Sequence, residues 1–135
     1  MKSNINLLLK NNIIRWVVFI PIALLSAIIS STIIIYLDKI TLVKTIEIGS
    51  FTFKLIDYMT QGLVFGFVFV YVGGIILPHK SNKIIIFTIY ILYLILGFIS
   101  SIKYHDYWLL YFDIFSFIGA FFGSKALEKR KKDKK

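Results

Sequence analysis

The stretch WVVFIPIALLSAIISSTIIIYL, from Trp16 to Leu37, runs for 22 residues without a charged side chain. A helix rising about 1.5 Å per residue needs roughly 20 residues to cross the ~30 Å hydrocarbon core of a bilayer. Three further runs have the same character: Met59–Leu77 with 19 residues, Ile84–Ile102 with 19 and Tyr107–Ser124 with 18. Hydrocarbon offers no water to backbone amides, so a spanning segment must satisfy its hydrogen bonds internally. Isoleucine and valine dominate these runs and lean towards strands in water; the lipid solvent overrides that preference. The expected fold class is therefore an all-α membrane protein, a four-helix transmembrane bundle. Its spans cover about 16–37, 59–77, 84–102 and 107–124, with a basic tail over 125–135, in a single membrane domain over 1–135.

Composition agrees. The 135 residues are 58% hydrophobic and 17% charged, and the mean hydropathy is +0.80. A soluble domain is about 45–50% apolar and about 25% charged, so a soluble monomeric globule is excluded. Eight Gly, two Pro and no Cys exclude collagen and a disulfide-stapled module,. The lack of cysteine also removes thiolate catalysis and thiolate-bound metal. The basic start (Lys2, Lys10, Arg15) resembles a signal peptide only superficially. Its apolar core is longer than the 7–15 residues of an h-region, with no A-x-A site after it,. It reads as an uncleaved first span.

Charge placement orients the bundle. The net charge is +9, and residues 125–135 hold seven basic side chains against two acids, which is +5 of it. With four spans, both termini and the turn at 78–83 share one side. That side collects twelve Lys and Arg, against Lys39, Lys44, Lys54 and Lys103 on the other. The positive-inside rule makes the twelve-residue side cytoplasmic. Trp16 falls at the inner edge, and Tyr36, Tyr58, Tyr104, Tyr107 and Trp108 at the outer edge, as an aromatic belt does,. The tail (Lys125, Lys129, Arg130, Lys131 and Lys132 among its cations) then faces anionic lipid on the inner leaflet of a cell membrane,. Nucleic acid is not an expected partner. The same tail also serves simply to fix topology.

The connections are unequal. Pro78–Asn82 and Lys103–Asp106 are short and imply antiparallel neighbours,. Residues 38–58 form a longer link in which Lys44–Leu55 alternates about Gly49-Ser50. Gly at the first turn position suits a type II′ hairpin, with Ile46, Ile48, Phe51 and Phe53 on one face. The segment reads equally as an amphipathic lead-in to the second span. Residues 1–12 carry Leu7-Leu8-Leu9 between polar neighbours and read as a short interfacial turn.

In lipid, helices associate through small residues and a few hydrogen bonds. Span one has Ala23, Ala27, Ser26 and Ser30. Span two has Gly62, Gly66 and Gly73 on one stripe, and span four has Ser116, Ala120 and Ser124 beside Gly119 and Gly123. Span three has only Gly97 and Ser101. Spans one, two and four are thus expected to pack closely, with span three the most exposed to lipid.

Asp113 is the one acid inside a span. A carboxylate there costs roughly 2.5–3.5 kcal/mol on insertion scales and usually faces the interior or a wet cavity. On a helical wheel it shares a face with Ser116, Ala120 and Ser124, away from Ile114, Ile118 and Phe121. It lies about six residues from the start of its span, a depth shared by Ser31, Gly66 and Leu96–Gly97. Ser30, Gln61 and Ser101 lie within about a turn of that level. Asp113, Gln61, Ser30, Ser31 and Ser116 thus form a candidate intramembrane polar cluster. Asp113 either binds a cation or polar solute there, or accepts hydrogen bonds from Ser31 or Gln61 and fixes helix register. Tyr90 and Tyr93 require hydroxyl partners across the bundle.

His105, Asp106, Asp57 and Asp38 have metal-ligand chemistry, but acids at these positions read as solvated helix ends, and no metal or cofactor is expected. There is no Ser-His-Asp order, H-x-x-x-H, P-loop or G-x-G-x-x-G,, so an enzyme is not expected. The sequence points to a small multi-pass protein acting as a non-enzymatic accessory or interaction subunit. It would associate with another membrane protein or with its own copies. The alternatives are an oligomeric transporter or channel with Asp113 in its path, and a pore-forming lysis or toxin-type protein.

The expressed protein is expected in the membrane pellet after ultracentrifugation, leaving it only in detergent, and reporters fused to its two ends should mark the same face. Recovery in a detergent-free supernatant, or reporters on opposite faces, contradicts this reading.

Overall fold

A computed structural model of the chain describes residues 12–77 and 82–133. Within them the chain is all-helical: α1 (Asn12–Leu42), α2 (Phe51–Ile76), α3 (Asn82–Tyr104) and α4 (Tyr107–Asp133). All four are long and apolar enough to cross a membrane. Each contains the span read for it, apart from Leu77, which caps α2. The expected interfacial turn at 1–12 lies outside the described residues up to 11, as do Pro78–Ser81 in the second connection.

No strand forms among the described residues, so the outer hairpin is corrected. α1 runs on to Leu42, whose carbonyl accepts from the amides of Thr45 and Ile46 at 2.9 and 2.8 Å. Gly49 then takes a φ of +89°, and Ser50 becomes the N-cap of α2, its hydroxyl accepting from the Phe53 amide at 3.2 Å. Gly49-Ser50 is therefore a turn into a helix. A two-stranded ribbon has no third strand to support it, whereas a capped helix satisfies its own backbone. Burial follows the helix and not the alternation: Phe53 is buried while Phe51 is 70% exposed, although a hairpin would set both on one face.

The other ends are also closed locally. α3 stops in a Schellman arrangement, with Asp106 N–H donating to the Ser101 carbonyl at 3.0 Å and His105 N–H to Ile102 at 3.3 Å,. His105 takes the left-handed conformation there, φ 54°. Asp106 then caps α4, its Oδ1 accepting from the amides of Trp108 and Leu109, both at 3.1 Å. At the other end of the bundle Arg15 Nε donates to the Ile76 carbonyl at 2.6 Å and Nη2 to Ile75 at 3.3 Å. A cation thus meets the negative end of the α2 dipole. The start of α1 and the end of α2 are pinned together, at the same end as the basic tail of α4. α4 does not stop at Ser124; it stays helical through Asp133.

The parallel pair α2 and α4 forms the centre. A Cβ built on Gly62 would stand 2.6 Å from the Phe112 carbonyl oxygen, and one on Gly66 would collide with the Ser116 carbonyl. Reciprocally, one on Gly119 would collide with the Leu63 carbonyl, and one on Gly123 would stand 2.6 Å from that of Phe67. Glycines of each helix therefore admit the backbone of the other. Gly73 leaves this seam, facing Ile86 of α3 and Ala23 of α1, while its neighbour Gly74 meets Leu127 of α4.

Among the described residues, α1 comes close to α2 but not to α4, and α3 lies against α4 and α2. Spans one and four each pack on span two, as expected, but not on each other, and span three is not the most exposed. α2 is the hub, and span one is as exposed as span three. Phe19, Ala23, Ala27, Phe69, Val70, Ile86 and Tyr90 form the buried core around α2.

Gly66→Ala forces backbone, not a flexible side chain, to move, so it should destabilise the bundle by about 1–3 kcal/mol. Thermal unfolding in detergent measures this. Leu92→Ala, at a position 58% exposed to lipid, serves as the control and should change little.

Candidate functional site

The α3–α4 contact carries the buried polar chemistry. Ser116 is fully buried, and its hydroxyl shares a hydrogen bond with the Tyr90 hydroxyl across the two helices. This supplies the partner that a tyrosine inside hydrocarbon requires. Tyr90 also packs on Phe69, with ring centroids 5.1 Å apart, and Phe69 stacks on Phe65 and Tyr93 at 6.4 Å each. The aromatic layer holds Tyr90 rigidly in front of Ser116.

One turn before Ser116, Asp113 is 7% exposed. It meets Gly97 of α3: a Cβ there would stand 2.8 Å from Asp113 Oδ2 and 3.2 Å from Oδ1. Glycine at 97 therefore leaves room for the carboxylate. Oδ2 is buried without a hydrogen-bond partner. Asp113 forms part of the wall of a crevice of about 400 Å³ between α3 and α4. The rest of the wall is apolar, with Ile91, Ile95 and Phe98 from α3 and Ile114, Phe117 and Ile118 from α4. A lone carboxylate in an apolar wall is electrostatically unsatisfied.

The other members of the expected cluster are not gathered here. Ser31 donates to the Ile28 carbonyl of its own helix at 3.0 Å, as Thr32 does at 2.8 Å. Ser30 lies on the same α1, which does not approach α4. Gln61 is half-buried on α2. Among the described residues no hydrogen bond joins Ser30, Ser31 or Gln61 to Asp113. Only Ser116 remains beside it, paired with Tyr90. The five packing glycines, Gly62, Gly66, Gly73, Gly119 and Gly123, are all buried.

At the end bearing Lys39 and Lys103, Asp38 Oδ2 accepts from the Thr60 hydroxyl at 2.5 Å, while Asp106 caps α4. Trp108 packs on Tyr58 and Phe51 with centroids 5.4 and 5.6 Å away. At the basic end, Lys125 sits over the Phe121 ring at 4.5 Å, and Lys132 lies 3.7 Å from Glu128. Lys129 and Arg130 line a cleft with Phe67 and Tyr71. The side chain of Lys131 is outside the description.

Sequence reading missed the Tyr90–Ser116 bond as a specific pair and the Arg15 cap. The Asp113–Gly97 juxtaposition had two signals: Gly97 stands in an otherwise bulky span, at the depth of Asp113. No known family model, curated protein or solved structure matches the chain.

Tyr90→Phe removes a buried interhelical hydrogen bond and should cost about 0.5–2 kcal/mol. Asp113→Asn removes a charge that no donor serves and should leave the melting temperature unchanged or raised. Thermal unfolding of both variants in the same detergent checks this; a large loss for Asp113→Asn would make the carboxylate a structural element.

Proposed function

We propose that the protein is a non-enzymatic interaction subunit of a cell membrane, with Asp113 as the group that engages its partner inside the bilayer. The observation that carries this is the unpartnered Asp113 carboxylate in the wall of the α3–α4 crevice. A carboxylate in a spanning helix costs about 2.5–3.5 kcal/mol. The Tyr90–Ser116 bond already ties α3 to α4, so the carboxylate is superfluous for holding them. Its remaining use is to receive a donor or cation brought by another membrane component, once α3 and α4 part at the crevice and uncover the buried Oδ2.

Two further features support this reading over transport by the isolated chain. The crevice wall is apolar apart from Asp113, which suits an apolar partner surface better than a hydrated solute. The hydroxyls of Ser30 and Ser31 stand on a helix that does not approach α4, so they do not extend a polar route from Asp113. The basic tail and the twelve-to-four charge bias support cytoplasmic termini, with the α4 tail on the anionic leaflet.

A photo-crosslinking residue at Phe98, on the crevice wall, should capture a discrete partner in native membranes, identified by mass spectrometry. Asp113→Asn should reduce that capture by tenfold or more with expression unchanged. Capture insensitive to Asp113, or Asp113-dependent solute flux by the purified protein in liposomes, would overturn the reading.

A further inference from the structure

A second groove runs along the α2–α4 seam, on a different face of α4 from Asp113. Its deeper part, about 340 Å³, is walled by Leu63, Val64 and Phe67 of α2 and by Gly119 and Phe122 of α4. Its apolar wall has no charged or hydroxyl side chain. Towards the basic end Phe67 is shared with a second cleft of about 560 Å³, which adds Tyr71, Lys129, Arg130 and Asp133. The two cavities therefore adjoin at the Phe67 side chain. From Gly119 to Arg130 the helix rises about 16 Å, close to half of a ~30 Å hydrocarbon core. The apolar part, walled by Leu63 to Phe67 and by Gly119 to Phe122, covers about 5–6 Å of that rise,, and the cationic cleft lies beyond it towards the basic end.

The glycines of the seam create it. Gly119 and Gly123 bring the backbones together, which leaves Phe67 and Phe122 to flank a channel instead of filling it. At the mouth, Lys125 is taken up by the Phe121 ring and Lys132 lies beside Glu128. Lys129 and the half-buried Arg130 are the cations that line the groove, against the single carboxylate of Asp133. A guanidinium held at the wall suits a phosphate, which it can grip through two parallel N–H groups.

We propose that this groove is a binding site for one anionic phospholipid, with an acyl chain against Phe67 and Phe122 and the phosphate between Lys129 and Arg130. Two features select a lipid over a free anion: an apolar cavity adjoins the cationic cleft at Phe67, and the stretch from Gly119 to Arg130 rises over about half of the hydrocarbon core. The site does not depend on the reading of Asp113, because no residue is common to the two.

The test is native mass spectrometry of the full-length protein released from detergent micelles, with phosphatidylglycerol, phosphatidylcholine of the same chains, or inorganic phosphate added. Phosphatidylglycerol should be retained at one per chain and in clear preference to phosphatidylcholine. Each basic residue at an anionic headgroup is worth roughly fivefold in affinity, so Lys129→Gln with Arg130→Gln should lower retention about 25-fold. Val64→Trp, which fills the apolar half, should lower it while circular dichroism shows unchanged helix. Excess inorganic phosphate should not displace the lipid. Equal retention of the two lipids, full retention by the double Gln variant, or displacement by inorganic phosphate would each overturn the proposal.

Discussion

The bundle depends on two helices being able to touch through their backbones. In lipid no hydrophobic force drives spans together, so van der Waals contact at short range supplies the attraction. α2 and α4 obtain it by setting glycines against carbonyls in both directions, Gly62 and Gly66 on one side, Gly119 and Gly123 on the other. Everything else is placed relative to that pair. α1 lies on α2 and is pinned to its end by Arg15. α3 lies against both, tied to α4 by Tyr90 and Ser116.

This close pair also creates the two surfaces of interest. Because α4 is held tightly by α2, its opposite side meets α3 through smaller contacts, and the α3–α4 crevice with Asp113 remains open between bulky Ile and Phe side chains. Along the seam itself, the shallow glycine surface leaves an apolar groove, which adjoins at Phe67 a cleft lined by Lys129 and Arg130. One surface offers a carboxylate within the apolar region and the other offers cations at its end. The two chemistries are opposite in sign and spatially separate.

Much of this was legible in the residues. The spans follow from apolar runs, and the packing glycines from their four-residue spacing. Asp113 stands out because a charge in such a run is rare. The hairpin expectation failed because alternation of Ile46, Ile48, Phe51 and Phe53 fits a strand, while Gly49-Ser50 fits both a hairpin turn and a helix N-cap. Only the cap satisfies backbone groups without a third strand. The polar cluster is gathered only in part, Asp113 with Ser116, for a different reason: depth along a span can be counted, but which helices are neighbours cannot. Ser31 and Gly97 stand at the same level as Asp113, and only Gly97 is beside it.

The sequence by itself determined the solvent, the number of helices and their type, because hydrocarbon leaves a chain few ways to satisfy its amides. It also determined which residues were small enough for backbone contact. The tertiary structure decided the partners. A stripe drawn at 100° per residue put Gly73 with Gly62 and Gly66, yet Gly74 meets α4 and Gly73 turns to Ile86 and Ala23. Helices that cross shift their contact face along their length, and that shift is a property of two helices together, which neither one carries alone.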